Sequence, residues 1–101
     1  MNDKELLELA AKAAGIEYDV YGNDFYIPEG EEFQRPWNPL ADDGDALRLA
    51  VKLSIDLLFM PEQELVYADG TPEECRFSDD PYAATRRAIV RAASEIGRGM
   101  E

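Results

Sequence analysis

The chain has no histidine and a single cysteine, Cys75. The first absence removes the side chain most suited to acid–base chemistry near neutral pH and the commonest nitrogen ligand of zinc. The second excludes an intramolecular disulfide, and an unpaired thiol suits a reducing compartment. Cys75 has Arg76 beside it to lower its pKa, but Glu73 and Glu74 oppose that shift, so it reads as a half-buried strand cysteine. Positive charge is scarce as well: 10 Lys and Arg stand against 22 Asp and Glu, a net charge of −12. No apolar run approaches the roughly 20 residues that span a bilayer, and no basic segment leads into an apolar one as in a secretory signal. No glycine-rich loop has the spacing of a phosphate-binding or dinucleotide-binding turn. These absences point to a cytoplasmic protein without membrane contact, cofactor, metal or enzymatic activity, one that works by presenting a surface.

What is there suffices for a folded domain. With 46% hydrophobic residues over 101 positions, the chain can fill one core, and a domain of this size buries roughly two thirds of its unfolded surface. Residues 1–101 read as a single domain. Self-repulsion among the carboxylates opposes compaction, so added salt is expected to stabilise the fold.

Punctuation along the chain divides it into elements. Asn2 followed by Glu5 forms a capping-box pattern; Leu6, Leu7, Ala10, Ala13 and Ala14 then recur at helical spacing until Gly15. This helix is small-sided and can pack closely on a neighbour. Tyr18, Val20, Phe25 and Ile27 alternate about Gly22-Asn23, the signature of a β-hairpin, with an aromatic-anchored loop as the alternative. Pro28, Gly30, Pro36 and Pro39 make 28–40 loop-like, pinned by Phe33 and Trp37. Asp42 or Asp43 opens a second helix with Ala46, Leu47, Ala50, Val51 and Ser54 along its inner face, widened by Leu49 and Leu53. Ile55 to Met60 reads as a buried strand ended by Pro61. Glu64 to Ala68 follows, closed by Asp69-Gly70, and Glu74 to Phe77 forms a third strand or an edge. Asp80-Pro81 opens a long helix whose inner face is Tyr82, Thr85, Ile89, Ala92, Ala93 and Ile96, and which Gly97 and Gly99 allow to fray. The expected fold is α+β: a small antiparallel sheet of short strands packed with three helices in a two- or three-layer sandwich.

The run Trp37-Asn38-Pro39-Leu40 leading into Asp43-Gly44-Asp45-Ala46-Leu47-Arg48-Leu49-Ala50, with Asp80-Pro81-Tyr82-Ala83-Ala84-Thr85-Arg86-Arg87-Ala88-Ile89, resembles the phage ABA sandwich domain family. The resemblance covers 37–98 and leaves 1–36 as a divergent N-terminal helix and aromatic segment. It implies helices packed on a sheet and a small protein of tailed bacteriophages working in the host cytoplasm. It brings no catalytic residues, because no general activity attaches to the family.

Each candidate site has a plainer explanation. Asp42, Asp43 and Asp45 fail the calcium-loop pattern, since Leu53 stands where the bidentate Glu belongs; helix capping accounts for them. Glu31-Glu32, Glu73-Glu74 and Asp79-Asp80 are carboxylate pairs in turns with no nucleophile alongside. Trp37, Phe33, Tyr21 and Tyr26 form either the lid of the core or an aromatic contact surface. Charge is distributed unevenly: residues 16–81 hold 17 acids against 4 bases, whereas 82–98 hold Arg86, Arg87, Arg91 and Arg98 against Glu95. Either the last helix lies in ordinary ion pairs beside an acidic body, or the negative face docks a basic surface.

The leading expectation is a non-enzymatic accessory protein that contacts a host protein with a basic surface, such as a defence or nucleic-acid-binding protein. Its partner-binding residues would be Glu29, Glu31, Glu32, Glu73, Glu74, Asp79 and Asp80. Direct nucleic-acid binding is disfavoured by phosphate repulsion. One alternative is a pocket between the sheet and the last helix where Arg86, Arg87 and Arg91 meet an anionic ligand. The other is a structural or assembly role, including a homodimer, whose sign would be an exposed apolar helix face.

Overall fold

The computed structural model describes residues 1–74 and 80–100. Three helices and two small antiparallel sheets make an α+β domain. Helix α1 (Asp3–Ala14) begins as its capping signal requires: the Asn2 side chain accepts from the Glu5 N–H at 2.8 Å, and Gly15 ends it in the left-handed region. Leu6, Leu7, Ala10, Ala11 and Ala14 form its buried side.

The first sheet has the order β1 (Asp19–Tyr21), β2 (Asp24–Glu29), β3 (Phe33–Trp37). Gly22, at φ 67°, opens the two-residue turn between β1 and β2, a conformation that matches the natural twist of a hairpin. β3 corrects the expectation of a loop over 28–40. The prolines are tolerated because β3 is an edge strand, and because β1 pairs with β2 only as far as Tyr26, leaving β2 an edge at Pro28. Trp37 is buried as expected, but Phe33 is exposed and pins nothing. Tyr18, Phe25 and Trp37 form a row of ring contacts, with centroids 4.8 and 6.2 Å apart, that joins this sheet to the core.

Helix α2 (Asp43–Leu53) is capped by Asp42, whose carboxylate accepts from the Asp45 N–H at 2.8 Å. Its inner arc is Asp45, Ala46, Leu49 and Ala50. The expected face through Leu47, Val51 and Ser54 is turned outward instead, with Leu47 60% and Val51 70% exposed. A wide apolar arc cannot all be buried when only one side of the helix has a neighbour.

The second sheet has the order β4 (Leu57–Met60), β5 (Leu65–Ala68), β6 (Thr71–Glu74), with a 3-10 turn at Pro61–Gln63. Expected in one sheet, the strands form two. β4 is an edge rather than a buried strand, and Leu58 and Phe59 are 57% and 55% exposed. Asp69 and Gly70 both take positive φ, as a tight β5–β6 turn demands. Expected strand residues Cys75 to Phe77 lie outside the described residues.

Helix α3 (Pro81–Arg98) starts at Asp80, which accepts from the Tyr82 and Ala83 N–H groups. It is the element on which α1, α2, β5 and β6 all pack. Ala88, Ile89, Val90, Ala92, Ala93, Ser94 and Gly97 are buried, whereas Tyr82 is exposed, contrary to the expected inner face. Gly97 does not fray the helix. A Cβ there would meet the Leu9 carbonyl oxygen at 2.0 Å, so only glycine lets the α1 and α3 backbones come this close.

Candidate functional site

A concavity with a mostly apolar lining lies where α2, the second sheet and α3 meet. It is a groove of about 640 Å³ lined by Ala46 and Leu47 of α2, Leu57 and Phe59 of β4, Pro61, Leu65 of β5, and Pro81, Tyr82, Thr85 and Ile89 of α3. Each side chain is there for a local reason. β4 alternates, so Leu57 and Phe59 share the groove face while Leu58 and Met60 line a smaller concavity with Tyr67 on the other side. Pro81 occupies the first position of α3 and sets Tyr82 at the mouth. The outward turn of α2 contributes Leu47. With Val51 it leaves an apolar helix face exposed.

The charged members of the groove are Asp43 and Arg86. Arg86 Nη1 donates to Asp43 at 2.7 Å and its Nε to the Leu40 carbonyl at 2.8 Å. The three arginines proposed for an anionic ligand do not converge. Arg87 pairs with Asp3 and Arg91 with Glu73, and both line a separate depression with Ser94 and Glu95. Every arginine among the described residues is in an ion pair, including Arg98 with Glu95 and both Arg35 and Arg48 with Asp45.

The expected partner-binding acids occupy different environments. Glu29, Glu31 and Glu32 are exposed around the β2–β3 turn, with Glu29 3.9 Å from Arg35. Glu73 is held by Arg91, Glu74 closes β6, and Asp80 is engaged as the α3 cap. Asp79 lies outside the described residues. Of the aromatic cluster, Trp37 belongs to the core, while Tyr21 is exposed and meets Tyr26 edge-on at 5.5 Å.

Asp45 is the polar centre that sequence reasoning assigned to simple capping. It is 3% exposed and accepts from the Asn38 N–H at 3.0 Å, Arg35 at 3.0 Å and Arg48 at 2.8 Å. Burial pushes its carboxyl up, but the Asn38 N–H and the two guanidinium groups outweigh that and hold it below the usual range. It ties β3 to α2, and nothing about it resembles a reacting group. Tyr18 is shifted upward by burial and by the nearby Glu8. Among the described residues no group of three or more Cys, Asp or Glu is placed to hold a metal ion, and no helix is long and apolar enough to cross a membrane.

Compared with known proteins, the chain matches no family model, no curated protein and no solved structure.

Proposed function

We propose that the protein is a non-enzymatic phage accessory protein that acts in the host cytoplasm by docking on a host protein with a basic surface. The observation that supports this reading is the internal use of positive charge. With the described arginines engaged by carboxylates of the same chain, the acids left over, Glu31 and Glu32 among them, face solvent unmatched. Such a surface attracts a cationic partner at long range and repels nucleic acid. Affinity capture from host lysate at low and high salt tests it. Capture of one protein that weakens with salt and is lost in the double variant Glu31→Lys, Glu32→Lys is the expected result. Salt-independent capture, or capture unaffected by the double variant, overturns the mechanism.

The groove supports a second reading, binding of a small ligand. Its lining favours an apolar compound over the anionic one first expected, since Arg86 is committed to Asp43 and Leu40. A thermal-shift screen with nucleotides and with uncharged medium-chain alcohols separates these classes, because a bound ligand raises Tm.

A further inference from the structure

We infer that the outer edge of β4, with the apolar groove beside it, receives an extended partner segment that adds a strand to the second sheet and carries lysine or arginine next to its apolar residues. This deepens the docking reading above and rests on it.

The first observation is the parity of the ladder. The Asp69 N–H donates to the Asp56 carbonyl at 2.9 Å, and β4 pairs with β5 as Leu57↔Ala68, Leu58↔Tyr67, Phe59↔Val66 and Met60↔Leu65. Hydrogen-bonded pairs alternate in an antiparallel ladder, so Leu58 and Met60 bond to β5 while the N–H and C=O of Leu57 and Phe59 point away from it. Those outward groups find no partner among the described residues. The same two residues send their side chains into the groove. An added strand therefore meets backbone donors, backbone acceptors and an apolar floor at the same two positions, as strand-addition sites do. Within Leu57–Met60 the edge carries neither a charge nor a proline, two of the usual devices against unwanted pairing; only its shortness and the flanking Asp56 and Pro61 limit what can pair there.

Charge selects the occupant. Between Lys52 and Arg76 the chain has no basic residue, while Asp56 directly precedes β4 and Glu62 and Glu64 follow it, all acidic and in no ion pair among the described residues. A segment with basic residues is drawn to this sheet. A second copy is not: antiparallel pairing of two β4 edges would set Asp56 of one chain near Glu62 of the other, and parallel pairing would set like against like. A helical occupant could fill the groove but would leave the outward groups of Leu57 and Phe59 bare, because a helix satisfies its own backbone.

The test uses the full chain, labelled with nitrogen-15, and a capped six-residue peptide alternating lysine and isoleucine. The expected result is exchange protection and shift changes at the Leu57 and Phe59 amides, with the Leu58 and Met60 amides little altered. N-methylation along the peptide should weaken binding about ten-fold at alternate positions and leave the intervening ones nearly unaffected. Equal binding of the glutamate–isoleucine peptide overturns the charge argument. Equal tolerance of N-methyl groups at every position, or stronger binding of a helix-forming lysine–leucine peptide, overturns strand addition. A dimer in light scattering with Leu57 and Phe59 protected before peptide is added assigns the edge to a second copy and also overturns it. Absence of protection at millimolar peptide defeats this inference even if a host protein is captured through Glu31 and Glu32. Loss of capture with the peptide result intact defeats the docking reading alone.

Discussion

Gly97 on α3 lies against the backbone of α1 at Leu9, so that a Cβ at position 97 would sit 2.0 Å from the Leu9 carbonyl oxygen. Neither helix can yield cheaply, since Ala10 and Ala11 of α1 and Ala93 of α3 are fully buried nearby in sequence. Gly97→Ala should therefore destabilise the fold by about 2–3 kcal/mol, in the range of overpacked cores. Gly99→Ala is the control: it has negative φ and no neighbour closer than 3.6 Å, so its denaturation midpoint should shift little.

Asp45 joins β3 to α2 through Arg35, Arg48 and the Asn38 N–H. Asp45→Ala strands that amide but leaves two guanidinium groups that water can still reach, so the expected cost is about 2–3 kcal/mol. The pH dependence follows from its lowered carboxyl. The stabilisation is complete above the unfolded value of about 3.9 and is lost as pH falls through the lower folded value. In urea titrations from pH 7 to pH 2.5, the gap between the native chain and Asp45→Asn should narrow only below about pH 4.

The local punctuation was legible because it is read by neighbours in sequence. Asn2 with Glu5, Gly22-Asn23, Asp42, Asp69-Gly70 and Asp80-Pro81 all sit where their chemistry placed them. What escaped depends on distant partners. β3 was hidden because Pro36 argues against a strand unless its edge position is known. Leu47 and Val51 look inward-facing by spacing alone, and only the one-sided packing of α2 turns them out. The role of Gly97 is invisible without Leu9, 88 positions earlier in the chain. The spacing of Arg86, Arg87 and Arg91 suggests one pocket beside the last helix, but only Arg86 lines the groove, and the three are paired with Asp43, Asp3 and Glu73, neighbours that sequence order does not place beside them.

The two sides of α2 give a direct comparison. Leu49 is buried and Leu47 exposed. Leu49→Ala should cost about 2–4 kcal/mol, as cavity-forming changes do, whereas Leu47→Ala should stay within about 0.5 kcal/mol of the native chain. Equal losses in a denaturant series would mean that Leu47 is covered in solution.

Salt should stabilise the domain. A net charge of −12 leaves repulsion that counter-ions screen, and the exposed ion pairs that salt weakens contribute little each. Relief of about 1 kcal/mol would raise Tm by about 4–8 °C. A melting series from 20 mM to about 0.5 M NaCl checks the sign; a falling Tm would show that the arginine pairs outweigh the repulsion.

Asp3 on α1 and Arg87 on α3, which bond across the helix pair, are 84 residues apart in the chain. During translation α1 leaves the ribosome well before the surface it needs has been made. Its leucines and alanines must wait, exposed, while both sheets are synthesised, and the nascent domain closes only when α3 clears the exit tunnel. A stalled chain ending before α3 should accordingly be a good client for chaperones and an easy target for proteases.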